Sequence, residues 1–401
     1  CINLKPLTDI EEINLAQVNT QDALNRIFRK DTPSFSGNRN VLGLLKTLEI
    51  GSVLSSGDLL KIASLLECSA KIKSYGRNEK EDRIADSLEF LFDSLEPLFP
   101  LCTEIRRCIL SEGEIADDAS STLKHIRRSM ILTNEKIHQQ LNSMVNSSHR
   151  TFLQDAVITM RNHRYCIPVK SEYKNQVPGM IHDQSQSGST LFIEPAVVVN
   201  LNNQMKELSL QEESEIEVIL SILSVKASEY TAQIASNYEI LSNLDFIFAK
   251  ASLALDQNAT RPIMNSDHRV MIRKGRHSKK NKKTVVPIDI ELGNTFDLLV
   301  ITGPNTGGKT VSLKTIGLLT LMGQSGLHIP ALDRSELSVF DEVYADIGDE
   351  QSIEQSLSTF SSHMTNIVTI LKYANSNSLC LFDELGAGTD PTEGAALAIA
   401  I

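Results

Sequence analysis

The sequence predicts a multidomain protein of the α plus α/β class. A helical core comes first, then a long antiparallel helical arm ending in a small β tip, then an α/β domain. Three observations predict this order. The chain has 401 residues, more than one ordinary core accommodates. Two separated stretches carry long heptad-like apolar seams. Late in the chain, an apolar run enters a glycine-rich loop that opens onto helix-like sequence. The expected boundaries are a helical core over 1–116, the arm over 117–240 with its tip at 151–200, a helical return over 241–270, and the α/β domain over 271–401.

Composition narrows the class. Apolar and charged residues make up 41% and 22% of the chain, values typical of soluble globular proteins. No apolar run reaches the roughly 18 residues of a spanning helix, so no membrane partner is expected. No signal-peptide pattern opens the chain, and a start at Cys1 without methionine reads as a fragment. The Ala-rich helical pattern Gly394–Ile401 reads as a second cut. Six cysteines without C-x-x-C spacing suit reduced thiols in a cytoplasmic protein. The net charge of -11 argues against a uniformly basic nucleic-acid binder but leaves room for local patches.

In the first segment, Ser55-Ser56 can cap a helix with Leu59, Ile62, Ala63 and Leu66 on one face. Asp82 to Leu95 gives another amphipathic pattern, stopped by Pro97 and Pro100. Nothing catalytic stands out there. From Asp117 to Val145, residues Leu123, Ile126, Met130, Ile137, Leu141 and Met144 form a narrow seam with one skipped position. Leu201, Met205, Leu208, Ile216, Ile219, Leu223, Ala227, Tyr230 and Ile234 form its counterpart. Helices of about 30 residues would each span about 45 Å.

Between them, Val157–Arg161, Tyr165–Lys170, Gly179–Gln184 and Thr190–Ile193 read as short strands separated by turn clusters. Arg161, His163, Arg164, Lys170 and Lys174 make this tip locally basic. Such charge suits either a solvated surface or contact with phosphates. Tyr238–Ala254 returns as helix. Arg273, Lys274, Arg276, Lys279, Lys280, Lys282 and Lys283 then form an acid-free basic segment, either an exposed loop or a nucleotide-proximal one, ahead of a strand at Val285–Leu292.

The densest chemistry lies in Gly303-Pro304-Asn305-Thr306-Gly307-Gly308-Lys309-Thr310, which satisfies G-x-x-x-x-G-K-[ST]. The run Leu298-Leu299-Val300 before it predicts a buried strand, and Val311–Leu321 after it predicts a helix. Glycines let backbone N–H groups turn inward on an anion, and the helix N-terminus adds partial positive charge. Lys309 would reach the terminal phosphates and Thr310 would ligate Mg²⁺. Downstream, Ser378–Phe382 followed by Asp383-Glu384 is a Walker B pattern. Asp383 would hold Mg²⁺ at the strand's carboxyl end, and Glu384 would act as general base toward water. The hydroxyl-rich Ser356–Ser362 and the loop Gly386–Pro391 fit an ABC-type ATPase.

The order of parts discriminates further, because here the long helices precede both ATPase motifs. Gly303–Thr315, Gln324-Ser325-Gly326-Leu327-His328-Ile329-Pro330-Ala331 and Asp383-Glu384-Leu385-Gly386-Ala387-Gly388-Thr389-Asp390-Pro391 resemble the MutS superfamily. With His182-Asp183-Gln184-Ser185 and Ser189–Pro195, they resemble its bacterial type-two branch, the paralogue without mismatch-reading domains. The resemblance implies a P-loop ABC-type ATPase domain and a homodimer with ATP and Mg²⁺ in composite sites. It implies that Gly303 through Thr310 and Val311 line the nucleotide, that Ser358 and Thr359 form the cross-subunit signature, and that Val286-Pro287 borders the adenine. It also implies branched DNA or ribosomes as partners, in suppressing recombination or in sensing collided ribosomes and splitting their subunits. The family's later switch histidine and its C-terminal nuclease domain would lie beyond Ile401, so nuclease activity is not expected of this stretch. Two other readings stand beside this one: a scaffold that ATP only locks, and a P-loop phosphotransferase.

Overall fold

The computed structural model describes residues 4–77, 86–277, 285–304, 307–348, 356–386 and 389–401, without the side chains of 356–362. Its helices are α1 (Ile10–Lys30), α2 (Leu42–Glu49), α3 (Ser56–Gly76), α4 (Glu89–Asp93), α5 (Phe99–Cys108), α6 (Ser121–Val145), α7 (Val199–Ser228), α8 (Thr231–Gln257), α9 (Lys309–Gln324), α10 (Ser356–Tyr373) and α11 (Pro391–Ala400). Its strands are β1 (Ile109–Ser111), β2 (Glu114–Ile115), β3 (Thr159–Arg161), β4 (Arg164–Lys170), β5 (Gly179–Gln184), β6 (Thr190–Pro195), β7 (Ile263–Asn265), β8 (Val270–Gly275), β9 (Ile288–Leu292), β10 (Glu336–Ser338), β11 (Glu342–Asp346) and β12 (Ser378–Phe382). The fold is therefore mainly helical with small sheets. Among the described residues, no helix is long and apolar enough to cross a membrane.

Two compact units result. One draws on residues up to Phe35, Ile72–Ser94 and Ile240–Ile401, and the other on Ser36–Lys71 and Leu95–Glu239. This partition cuts across the four segments expected from sequence. Helix α1 belongs with the C-terminal elements, not with a separate N-terminal core.

The first unit is organised around α9. Ile316, Leu319 and Met322 of α9 share one apolar cluster with Ile13 of α1, Met264, Val270, Ile272, Ile290 and Leu337 of one sheet, and Leu379 and Leu381 of β12. That sheet has order β7-β10-β8-β9; β10 runs parallel to β7 and antiparallel to β8. Strands β11 and β12 form a parallel pair, with α10 as the crossover a parallel connection requires. Gly317 lets α9 approach β12 closely, since a methyl there would lie 2.7 Å from Leu381 Cδ1.

The C-terminal carbonyls of a helix need partners from outside it, and α1 supplies several at this end of α9. Gln17 Nε2 donates to Gly323 O at 2.8 Å and to Leu327 O at 2.9 Å, and Thr20 Oγ1 donates to Gly326 O at 2.7 Å. The buried Gln324 side chain donates to Leu7 O and Phe340 O and accepts from Phe340 N.

The second unit carries the arm and tip. Ser120 caps α6 by accepting from Leu123 N at 2.9 Å. Seam residues Leu123, Ile126, Ile137 and Leu141 are buried, and Thr133 fills the position the apolar pattern skipped. Helices α6 and α7 are antiparallel. Arg127 of α6 bonds Glu212 of α7 near one end, while Ile137 and Leu141 pack beside Leu201 and Met205 near the other. The tip sheet has order β3-β4-β6-β5, all antiparallel. Asn162 and His163 join β3 to β4 with φ of 50° and 61°, the left-handed pair that a tight hairpin requires.

Several expectations are corrected. Leu298-Leu299-Val300 is not a buried strand: Leu298 and Val300 are 79% and 72% exposed. Its apolar character signalled burial, but among the described residues β11 and β12 pair with each other and give it no ladder. Of Asp82–Leu95, only the short α4 is a described helix, and Pro100 starts α5 instead of ending a helix. Proline is tolerated in a first turn, where its missing N–H has no intrahelical partner anyway. Tyr238–Ala254 is no separate return but part of α8, and the arm's second seam breaks after Ser228. Arg273 and Lys274 lie in strand β8, not in a loop. Cys68, Cys102, Cys108, Cys166 and Cys380 are unbridged, and burial pushes the Cys166 thiol up to about 11.

Two outcomes follow from the joint between α1 and α9. Gly326 has φ of 70°, and a methyl there would lie 2.5 Å from Ala16 Cβ and 3.1 Å from Lys250 Nζ. Gly51 has φ of 77° and nothing within 4 Å. Gly51→Ala should cost only the left-handed strain, about 1 kcal/mol. Gly326→Ala should cost about 1–3 kcal/mol more, read as a larger drop in the unfolding midpoint. Buried His328 is held down to about 4 by desolvation, against 6.5 for the free side chain. The unfolded chain therefore binds the extra proton between those values, and stability falls as pH drops through that window. The loss should be on the order of 3 kcal/mol. Denaturation of wild type and His328→Gln across pH 7 to 4 checks this, the variant having the shallower slope.

Candidate functional site

The glycine-rich loop leads directly into α9. Gly303 and Gly308 have φ of 144° and 81°, and Gly307 N donates to Pro304 O at 2.9 Å to close a turn. Lys309, Thr310 and Val311 occupy the first turn of α9, each half-buried, and Lys309 Nζ donates to Gly303 O at 2.9 Å. Ser312 Oγ donates to Gly308 O. Asn305 and Thr306 lie outside the described residues. Sixteen residues of helix behind this turn place partial positive charge at the loop.

Asp383 and Glu384 follow β12 directly. Asp383 is half-buried, and its N–H donates to Asp346 O at the end of β11, at 3.0 Å. Glu384 is exposed with φ of 48°, an uncommon backbone for a non-glycine residue and one that clusters at functional sites. Since α9 packs on β12, the loop and the two carboxylates stand on elements of one core. Ser358 and Thr359 lie in α10, but their side chains fall outside the described residues. Val286 and Pro287 precede β9, with Val286 exposed. Sequence reasoning missed Asp346, His363 and Asn366. Asp346 is buried, and its carboxylate meets His363 Nδ1 at 3.0 Å and Asn366 Nδ2 at 2.8 Å. A strand ending in Asp-Ile-Gly was the available signal.

The residues present suit a nucleoside triphosphate with Mg²⁺. The first turn of α9 and the end of β12 contribute an ammonium, a hydroxyl and a carboxylate, the donors that phosphate and a hard cation take. Among the described residues, no cluster of three His, Cys, Asp or Glu side chains forms a metal site of its own.

The basic tip is partly neutralised by its own acids. The Arg161 guanidinium lies 4.0 Å from the Phe192 ring centre and bonds Asp183 at 3.0 Å. Arg164 bonds Glu194 at 2.7 Å and Asn203 at 2.6 Å. Glu194 is fully buried and also meets His182 Nε2 at 2.5 Å and Asn202 Nδ2 at 2.8 Å. Lys170 Nζ donates to Thr151 O, while His163 and Lys174 are exposed. In the second basic segment, Lys274 pairs with Asp289, and Arg276 donates to the carbonyls of Gln257 and Asn258. Lys279, Lys280, Lys282 and Lys283 lie outside the described residues.

The family described as MutS domain V matches residues 299–401, the stretch holding the loop, α9, α10 and β12. That stretch is therefore similar to a MutS domain. It is 60% identical over 402 residues to Endonuclease MutS2 of Agathobacter rectalis, covering 100% of this chain and 51% of that protein. It is 58% identical to the Endonuclease MutS2 of Lachnospira eligens and 58% identical to that of Lachnoclostridium phytofermentans, covering 100% of this chain and 50% and 51% of those proteins. The chain belongs to the MutS2-type family, and it spans about half the length of these curated relatives.

Arg164→Ala would leave the buried Glu194 carboxylate without its guanidinium and should destabilise the tip by about 3 kcal/mol. Lys174→Ala, on the exposed surface, should stay within about 0.5 kcal/mol. Amide exchange over β4 and β6 distinguishes them, rising only in the first variant.

Proposed function

We propose that this chain is the nucleotide-binding and lever portion of a homodimeric MutS-type ATPase that couples ATP hydrolysis to grip on nucleic acid. One observation carries the reading: the glycine-rich loop leads into α9, and Asp383-Glu384 follow β12, on two elements packed through Gly317 and Leu381. In this reading the loop amides and Lys309 bind the phosphates. Thr310 and Asp383 hold Mg²⁺, and Glu384 orients and deprotonates the attacking water. Bound Mg²⁺ supplies neutralisation of phosphate charge. Ser358 and Thr359, early in α10, complete the partner subunit's site.

The long arm gives nucleotide closure something to move, and the tip is the gripping surface. His163 and Lys174, exposed there, are better placed for phosphate contact than Arg161 and Arg164, which the tip's own acids engage. The partner we infer is branched DNA or the RNA-rich surface of a stalled ribosome, met in the cytoplasm. The relatives are named endonucleases, and no residue described in this chain is assigned that activity.

Lys309→Ala in the full-length protein should weaken ATP binding and lower turnover at least about tenfold. Glu384→Gln should keep ATP bound, abolish turnover and accumulate a closed dimer, measurable by sedimentation and nucleotide retention. A Glu384→Gln protein indistinguishable from wild type would instead favour a scaffold that ATP only locks. Capture with that variant, comparing branched DNA with ribosomes from cells with stalled translation, separates the two partners.

A further inference from the structure

In the proposed dimer each chain serves two sites, lending the carboxylates after β12 to its own and the hydroxyls early in α10 to its partner's, so within a chain these two parts must keep a fixed spacing. Asp346 is built to set it. The residue is 5% exposed, and both of its polar ends are engaged. Its carbonyl accepts from Asp383 N at 3.0 Å, holding the backbone of the residue assigned to Mg²⁺. Its carboxylate accepts from Asn366 Nδ2 at 2.8 Å and faces His363 Nδ1 at 3.0 Å. A carboxylate accepts, so the imidazole proton sits on Nδ1.

His363 and Asn366 are three residues apart and therefore share one face of α10. The far side of the His363 ring lies against Gly348, where a methyl would be 2.8 Å from Cε1 and 2.9 Å from Nε2. A buried carboxylate is costly to desolvate. The β11–β12 ladder uses backbone groups and needs no such side chain. Among the described residues, the donors that offset this cost are two from α10.

We propose that Asp346, His363 and Asn366 are positioning residues, a latch that fixes α10 against the strand ending in Asp383-Glu384. The proposal rests on the ATPase reading above. Release of the latch leaves nucleotide bound but misplaces the hydroxyl-bearing end of α10.

The test uses the full-length protein. His363→Ala and Gly348→Ala should lower kcat about tenfold or more, while the Kd for ATP moves less than about twofold. Amide exchange in α10 should rise in both. His363→Asn, which returns an N–H donor near the Nδ1 position, should recover most of the turnover and protection. Turnover within about twofold of wild type and unchanged α10 exchange in His363→Ala would overturn the latch. So would a His363→Asn protein no better than His363→Ala, with ATP affinity falling in parallel. Lys309→Ala is the separate control: if it leaves turnover unchanged, the ATPase reading fails. Exchange in α10 then decides the latch alone.

Discussion

Everything in the first compact unit depends on how α9 is held. Its first turn carries Lys309 and Thr310, its middle lies in the shared apolar cluster, and side chains of α1 take the Gly323 carbonyl in its last turn and those of Gly326 and Leu327 just beyond. A helix free at its end would let the glycine-rich loop drift. Here Gln17, Thr20 and Gln324 leave little slack, because each serves backbone groups that burial would otherwise strand. The loop is therefore presented by a rod seated at its middle and its end.

Much of this was legible in the sequence. The loop, the acidic pair after β12, the antiparallel arm and the four tip strands all follow from spacing and turn chemistry. These are local signals, and local signals survive in a single chain. Two kinds of feature were not legible. Leu298-Leu299-Val300 has the composition of a strand, but a strand exists only through its neighbours, and among the described residues β11 and β12 pair with each other and not with it. The grouping of α1 with α9 depends on polar residues within a helix, Gln17 and Thr20, which an apolar pattern treats as surface. Asp346 was missed for the same reason: its importance lies in contacts made by distant residues.

Charge in the tip teaches a related lesson. Five basic side chains suggested an open positive surface, yet two of them are paired with Asp183 and Glu194. A buried carboxylate must be compensated, and the nearest cations are drafted for that task. Counting charges by sequence position overstates the field available to a partner. The exposed remainder, His163 and Lys174, is smaller and sits where the hairpin and the 171–176 turn project.

The capping of α9 by α1 has a consequence for how the molecule is made. Gln17 and Gly323 are 306 residues apart in sequence. During synthesis α1 emerges 306 residues ahead of the Gly323 carbonyl that Gln17 will serve. Until then its apolar face, including Ile13, has no cluster to enter. Contacts this distant in sequence slow folding and leave partly folded chains open to aggregation. The same joint that steadies the glycine-rich loop thus makes α1 wait on sequence 306 residues away before it can settle.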